Sequence, residues 1–298
     1  GAKRSVAWTS ENGRTCTFEG GGPYERPGPY YFRELTSDLS ATAETSKAPR
    51  QDGVTTYHTA LDARTINLVG SMLVYGSRTL SARAAYDTQR AWLAQAFAPN
   101  RWGTLTYYKE DEAVQVRCRP LATPTIGTPV GTFSTIDISF TADSPYWESA
   151  KEYILAMGVI QRFWHFPWAP YRYPMGAYTR FGMVDNPAEE NIYPSIEVYT
   201  TGQEVCLANR TAGEQVTIEH SIAENQKLVV DLKDVSAFLY QRDGSGDYQM
   251  QEDVSHWMSL DSVPWALRPG RNQVAITNDQ PEDTPVAYLR YRIPSLGV

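Results

Sequence analysis

The sequence predicts a mostly β protein with two domains, and three features of the chain support this fold class. Short runs of alternating apolar and polar residues recur along both halves, which is the period of a strand with one buried face. Glycine and proline separate these runs at close intervals, as turns between strands do. A convincing helical period occurs in one stretch, near residues 81–98.

The composition bounds both the size and the partners of the protein. With 298 residues, 42% of them hydrophobic, the chain is long enough to bury two cores. Its 27 Lys and Arg residues and 34 Asp and Glu residues give a net charge of −7, which argues against binding to nucleic acid or anionic lipid. No apolar run reaches the ~20 residues of a membrane span, so we expect no membrane insertion.

The first residues and the cysteines predict a protein that folds in a reducing cytoplasm. The chain begins without the apolar stretch of a secretory signal. Cys16, Cys118 and Cys206 are far apart, odd in number and free of CxxC or Cys/His spacing. Three separate thiols are therefore expected.

Residues 1–150 are expected to form a β-barrel or β-sandwich domain that carries the one helix. Within 81–98 the apolar residues recur three and four apart, Ser81 suits the N-cap, and Pro99 ends the helix. The polar stretch 40–55 is expected to be a long exposed loop. Strands are predicted at 104–108, 113–119 and 133–140.

Residues 151–190 form an aromatic and proline-rich connector, and 191–298 are expected to fold as an antiparallel β-sandwich. Short alternating runs without a helical period favour the jelly-roll kind, similar to galectins and carbohydrate-binding modules. The predicted strands lie near 196–198, 205–207, 216–218, 228–232, 237–240, 257–260, 274–276 and 287–293.

Motifs of catalysis and of metal binding are not recognisable in the chain. No Gly-x-Ser-x-Gly segment occurs, and the four histidines stand in no known motif, so we expect no enzyme. Asp243, Ser245 and Asp247 have the spacing of the first half of a calcium loop, but Glu252 is at the wrong distance. A plain hairpin is favoured there, and no metal or cofactor is expected.

Several weak motifs occur in a fixed order over nearly the whole chain. They lie at residues 61–70, 97–100, 103–107, 133–140, 144–147, 163–174, 209–214, 267–272 and 291–298. No single motif is specific, but in this order they resemble the distal tail proteins of siphophages.

This resemblance implies a structural protein of the virion, at the tip of the tail, that folds in the host cytoplasm before assembly. It implies a homohexameric ring, formed by the first domain and decorated by the second. The partners implied are the tail tube protein, the tail-associated hub protein and the receptor-binding protein. DNA would only pass through the central channel. Whether the source is a phage or a phage-derived particle stays open.

Two sets of residues are candidates for contacts, and they belong to different hypotheses. Arg, Tyr and Trp are enriched at protein interfaces, and the polar loop and the wet face of the helix are expected to meet neighbouring subunits or the tube. These interface candidates are Lys47, Arg50, Arg83, Asp87 and Arg90. The alternative hypothesis is a carbohydrate-binding module, since jelly rolls often hold sugars on aromatic faces. Its candidates, which could equally pack between the domains, are Trp164, Trp168, Tyr171 and Tyr173, with Trp257 and Trp265 beside them.

Overall fold

The computed structural model divides the chain into two compact units. Residues 1–151 and 295–298 form the first unit, and residues 152–294 form the second. The final four residues, which the sequence placed with the second domain, thus belong to the first unit. The structure describes residues 4–21, 28–50, 52–76, 81–110, 112–158, 160–164, 175–178, 181–279 and 285–297.

The first unit consists of antiparallel strands and one α-helix, α1. Its main sheet has the order β2-β1-β7-β8-β10-β6-β3, and this path does not close on itself among the described residues. The barrel alternative is therefore not adopted. The strands are β1 (Ser5–Ser10), β2 (Thr15–Phe18), β3 (Tyr30–Asp38), β4 (Ala41–Ser46), β5 (Thr55–Leu61), β6 (Arg64–Leu73), β7 (Gly103–Lys109), β8 (Glu112–Pro120), β9 (Thr125–Ile126), β10 (Phe133–Ala142) and β11 (Trp147–Ser149).

Helix α1 spans Ala82–Ala96 and confirms the predicted helix within two residues at its end. Its N-cap is Ser81, whose hydroxyl accepts a hydrogen bond from the main-chain N–H of Ala84 at 3.3 Å. The buried face includes Tyr86, whose hydroxyl donates to Ser134 Oγ at 3.0 Å. Periodicity and capping therefore sufficed to locate this element.

The core of the first unit is built around a cluster of aromatic rings. Trp8 of β1 lies 5.2 Å from Phe140 and 5.8 Å from Phe97 between ring centroids. Gly103 makes this packing possible, because a Cβ at that position would lie 2.6 Å from the Trp8 ring. The helix end and the two strands are thus fixed to one another by large apolar side chains.

The second unit contains two antiparallel sheets and a separate two-stranded pair. The six-stranded sheet has the order β12-β23-β16-β19-β20-β21, and the four-stranded sheet has the order β15-β22-β17-β18. Its strands are β12 (Tyr153–Met157), β13 (Ile160–Trp164), β14 (Met175–Tyr178), β15 (Phe181–Asn186), β16 (Ser195–Tyr199), β17 (Val205–Asn209), β18 (Glu214–Ile218), β19 (Gln226–Asp231), β20 (Ser236–Arg242), β21 (Tyr248–Asp253), β22 (Gly270–Asn278) and β23 (Val286–Tyr291), and the last short strand of the chain is β24 (Pro294–Ser295).

The inner faces of these two sheets share one core, as the alternating patterns predicted. Ile196 and Val198 of β16 are fully buried in the same cluster as Leu207 of β17 and Ile276 of β22. The mostly β fold class is confirmed. The jelly-roll connectivity stays a prediction.

One predicted strand of the second unit is wrong and several were missed. Residues 257–260 do not form a strand: a 3₁₀ helix covers Ser255–Trp257, and Leu260 is fully exposed. The missed strands β12 and β15 lie within the predicted connector 151–190 and belong to the two main sheets. The missed strand β21 is an edge strand whose side chains are mostly exposed, so it carries no alternation of apolar and polar residues that would predict it.

Candidate assembly interface

The segment 40–55 is not a loop, as the sequence suggested, but part of a two-stranded hairpin, which we call the arm. The arm consists of β4, β5 and the turn between them, which is described at residues 47–50 and 52–54, and its two strands pair with each other. Every residue of both strands is exposed. An alternation of apolar and polar residues could not predict these strands, because neither face of either strand packs against a core.

The base of the arm is held by one carboxylate. Asp62 accepts hydrogen bonds from the hydroxyls of Ser40 and Thr42, each at 2.9 Å. Its main-chain N–H also donates to the carbonyl of Ser40 at 2.9 Å. These bonds close the hairpin where it joins β3 and β6.

The arm presents apolar and cationic side chains to solvent. Tyr57 is 72% exposed, and Val54 and Leu61 are also largely exposed. Lys47 and Arg50, two of the predicted interface residues, lie in the turn and are exposed. A two-stranded hairpin without a buried face is marginal on its own. The arm therefore has the properties of a surface that is completed by a partner.

The remaining predicted interface residues lie together on helix α1. Arg83 and Asp87, one turn apart, form an ion pair of 3.7 Å, with side chains 62% and 58% exposed. Arg90 is exposed on the following turn. A pair this exposed contributes only about 0.3 to 0.5 kcal/mol to the helix. These charges are therefore free to meet another surface at little cost to the fold.

The end of the chain is fastened to the first unit by a buried arginine that sequence reasoning did not identify. Arg64 is 2% exposed. Its guanidinium donates to the carbonyls of Pro145 at 2.8 Å and Leu296 at 2.7 Å, and to Ser37 Oγ at 2.6 Å. Burial lowers the pKa of this guanidinium from its ordinary value. The three acceptors offset that loss of hydration.

Charge is divided unevenly between the two units. The first unit carries 16 Lys and Arg residues against 15 Asp and Glu, whereas the second carries 11 against 19. The acidic balance of the chain therefore belongs to the second unit. A basic surface is the kind of partner that the second unit would attract most strongly.

The aromatic candidates of the sugar hypothesis lie mostly outside the described residues. Trp168, Tyr171 and Tyr173 are not described, and for Trp164 only its place at the end of β13 is described. Trp265 is a core residue, 1% exposed, and its indole N–H donates to the carbonyl of Leu207 at 2.9 Å. Trp265 is therefore excluded as a sugar contact.

Trp257, the other tryptophan named beside the sugar candidates, lies at the surface. Trp257 is exposed and packs beside two imidazoles, those of His220 and His256.

The turn with the spacing of a half calcium loop is held by its own first carboxylate. The carboxylate of Asp243 accepts hydrogen bonds from the main-chain N–H groups of Ser245 and Asp247, both at 2.9 Å. The hydroxyl of Ser245 also donates to this carboxylate, at 2.6 Å, and this bond, followed by the main-chain bonds, lowers the pKa of the Asp243 carboxyl. The carboxylate of Asp243 is thus hydrogen-bonded within its own turn.

The fold is shared with a phage Dit protein and with chains of a phage baseplate. Over 97% of this chain and 99% of the other, the structure resembles SPP1 Dit (gp 19.1), described as a paradigm of hub adsorption apparatus in Gram-positive infecting phages, with a TM-score of 0.63 and 12% identity. It also resembles chains of the phage P2 baseplate in its activated conformation. The form with calcium gives a TM-score of 0.54 at 9% identity, and the form with strontium gives 0.53 at 10% identity, each over 100% of both chains.

Sequence comparison adds no relative to these structures. No protein-family model matches the chain, and no curated protein matches its sequence. No helix in the described part of the chain is long and apolar enough to cross a membrane. At identities of 9 to 12%, the likeness to these structures shows a shared fold.

Proposed function

We propose that this protein is a structural component of a phage tail tip, in which copies of the first unit form a ring that joins the tail tube to the hub and receptor-binding proteins. The observation that carries the proposal is the shared fold. The likeness to SPP1 Dit extends over 97% of this chain and 99% of that one, and so includes both units.

A ring needs two different surfaces on each copy, one complementary to the other. The arm supplies the first surface in this proposal. Its exposed Tyr57 and Val54 are apolar, and Lys47 and Arg50 lie in the turn between its strands. Tyrosine and arginine are the residue types that most often dominate binding energy at protein interfaces.

Arg50 adds a local argument for a role of the turn in contacts. Its backbone has a φ of 67°, the left-handed conformation that glycine adopts more easily. A side chain at this position costs about 1 kcal/mol relative to glycine. In our proposal that side chain meets an acidic group of the neighbouring copy or of the tube.

The exposed charges of helix α1 form a further contact surface in the proposal. Arg83, Asp87 and Arg90 lie three and four residues apart and so share one side of the helix. They surround no cavity and hold no core together. Their proposed partner is the tail tube protein, with DNA passing through the channel unbound.

Labelling of intact particles tests the location. Antibodies raised against the second unit and coupled to gold are applied to particles from the source of this chain, and the particles are imaged by electron microscopy. The proposal predicts gold at the distal end of the tail. Gold on the head, along the tail tube or on no particle at all would overturn it.

A further inference from the structure

The six-stranded sheet of the second unit ends in an open edge. Its last strand is β21, and among the described residues this strand pairs with β20 alone. Five of its six side chains are exposed. An open edge presents unpaired main-chain N–H and C=O groups to solvent, and an extended segment of another chain can bind there by adding a strand.

The four-stranded sheet of the same unit shows what a covered edge looks like. Its last strand is β18, and residues 257–263 run along the outer side of that strand. The carbonyl of Thr217 accepts a hydrogen bond from the N–H of Ser259 at 2.9 Å, and the carbonyl of Gln215 accepts one from the N–H of Val263 at 2.7 Å. No described segment makes such bonds along the outer side of β21. The unit therefore covers one edge and leaves the other open.

The hydrogen bonds of β20 show which main-chain groups of β21 face outward. Along a strand in an antiparallel sheet, successive residues bond alternately to the neighbour on one side and on the other. The N–H of Arg242 donates to the carbonyl of Asn225, next to β19, at 2.9 Å. The carbonyl of Ala237 accepts from the N–H of Val254, next to β21, at 2.9 Å. The odd-numbered residues of β20 thus bond to β21, and the even-numbered residues bond to β19.

Two residues of β21 direct their main-chain groups to the open side. Tyr248 lies opposite Arg242 and Met250 lies opposite Tyr240, both of which are even-numbered residues of β20. The N–H and C=O groups of Tyr248 and Met250 therefore point away from β20. The side chain of Met250 is 62% exposed, so no bulky group shields these positions. The open side thus offers two alternate positions of a β-ladder.

The charge of this edge has one sign. Residues 243–253 contain four acidic residues and no Lys or Arg. The acidic residues stand on both sides of Met250 in sequence, with Asp243 and Asp247 before it and Glu252 and Asp253 after it. The second unit as a whole is also acidic. An extended segment with basic side chains is therefore the complementary partner.

The same charges argue against a second copy of this chain as the partner. Antiparallel pairing of two β21 strands about Met250 would bring Asp247 close to Asp253 of the other copy. Like charges on facing strands are destabilising. Acidic residues on an edge strand thus oppose pairing between identical edges and leave pairing with a basic segment open.

We propose that β21 binds an extended segment of another protein, with Lys or Arg at alternate positions, which adds a seventh strand to the six-stranded sheet. The main-chain groups of Tyr248 and Met250 bond to the segment, and its basic side chains meet the acidic residues on both sides. The inference goes beyond the proposed role in the tail tip. It does not depend on that role, because β21 lies in the second unit and the arm lies in the first.

The first test is the binding of synthetic peptides to the full chain, measured by fluorescence anisotropy. The probe is a labelled peptide of about nine residues, the length of a long strand, in which lysine and threonine alternate. One matched peptide has glutamate in place of lysine. Another keeps the lysines but has methyl groups on its central main-chain nitrogens, which removes the donors of a β-ladder. We expect both matched peptides to bind at least about tenfold more weakly than the probe.

Two substitutions at one position separate the main chain of β21 from its side chain. Met250→Pro removes an outward N–H and leaves the bonds to β20 in place, as is usual for proline on an edge strand. Met250→Ala is the matched control, because it removes the side chain and keeps the N–H. Met250→Pro is expected to weaken binding of the probe by about tenfold, and Met250→Ala by less than about threefold. Thermal unfolding followed by circular dichroism checks that both variants fold.

Hydrogen exchange of the wild type tests the site without any substitution. Bound probe is expected to slow amide exchange in residues 248–253 and to leave exchange in β18, whose edge is covered, unchanged. The proposal is overturned if the probe does not bind, if the methylated peptide binds equally well, or if exchange in residues 248–253 is not slowed. Gold labelling of particles reports the location of the protein separately, so a failure at β21 is distinguished from a failure of the proposed function.

Discussion

The two hairpins β4–β5 and β17–β18 have the same topology and opposite surroundings. In β17–β18, residues alternate between the core and the solvent, and Val205, Leu207 and Val216 are buried. In the arm, no strand residue is buried. The first hairpin is therefore held by its own unit, whereas the arm contributes almost nothing to the core. This difference separates residues that maintain the fold from residues that are free to serve assembly.

The largest expected effect is on stability and falls on the buried hairpin. Leu207→Ala removes a core side chain, and we expect it to lower the free energy of unfolding by about 2 to 5 kcal/mol. Urea denaturation followed by circular dichroism measures this. Gln215→Ala, an exposed change on the same hairpin, is the control and should stay within about 0.5 kcal/mol of wild type. Equal effects of the two changes would contradict the contrast.

The turn of the buried hairpin should show the next effect. Asn209 is fully buried, and its side-chain amide donates to the carbonyl of Ala266 at 3.0 Å. Its side-chain oxygen accepts from the main-chain N–H groups of Thr211 and Ala212. Asn209→Ala leaves these buried groups unpaired and should cost about 1 to 3 kcal/mol. If the denaturation midpoint of Asn209→Ala equals that of the wild type, the prediction is wrong and water replaces the lost hydrogen bonds.

In the arm, stability and assembly should separate. Tyr57→Ala is expected to change the free energy of unfolding by less than about 0.5 kcal/mol, because the side chain touches no core. The same change should shift the ring toward smaller species in analytical ultracentrifugation. Tyr75→Ala, an exposed tyrosine of the first unit outside the arm, is the matched control and should leave the ring intact. A ring that tolerates Tyr57→Ala as well as it tolerates Tyr75→Ala would remove Tyr57 from the interface.

The smallest effect is expected on helix α1. Arg90→Glu should leave the melting temperature unchanged, since Arg90 is exposed, but should weaken ring or tube contacts through like-charge repulsion. Sedimentation at low and high salt measures this, because screening weakens the repulsion. Asp87→Asn breaks the pair with Arg83 and should cost the helix only about 0.3 to 0.5 kcal/mol. An oligomer unaffected by Arg90→Glu at low salt would exclude this face from the contacts between copies and leave the tube as its proposed partner.

The comparison also explains how much of the fold the sequence could predict. Burial imprints a period on the sequence, so α1 and the strands of both cores, such as β10 and β16, were visible. The arm has no buried face and therefore left no period. The contact between Arg64 and the end of the chain could not be predicted either. The guanidinium donates to the main-chain carbonyl of Leu296, and every residue type has such a carbonyl.

The candidate surfaces could be predicted only in part, for a related reason. Charged residues on a polar stretch and on the solvent-facing side of a helix are exposed in almost any fold, so the exposure of Lys47, Arg50 and Arg90 was predictable, whereas their role in contacts stays a prediction. A surface on a sheet depends on which residues become neighbours across strands. Ala208 and Ala275 are 67 positions apart in sequence, and their pairing is a property of strand register.

The most direct test of the account is the molar mass of the purified chain across a concentration series, measured by light scattering behind size exclusion. The wild type is compared with a variant in which residues 43–59 are replaced by Asn-Gly, a turn that joins the paired residues Thr42 and Ala60. We predict a closed oligomer of about six copies for the wild type and a folded monomer for the variant. A wild type that stays monomeric throughout, or a variant that still forms the ring, would contradict the claim that the arm is there for assembly.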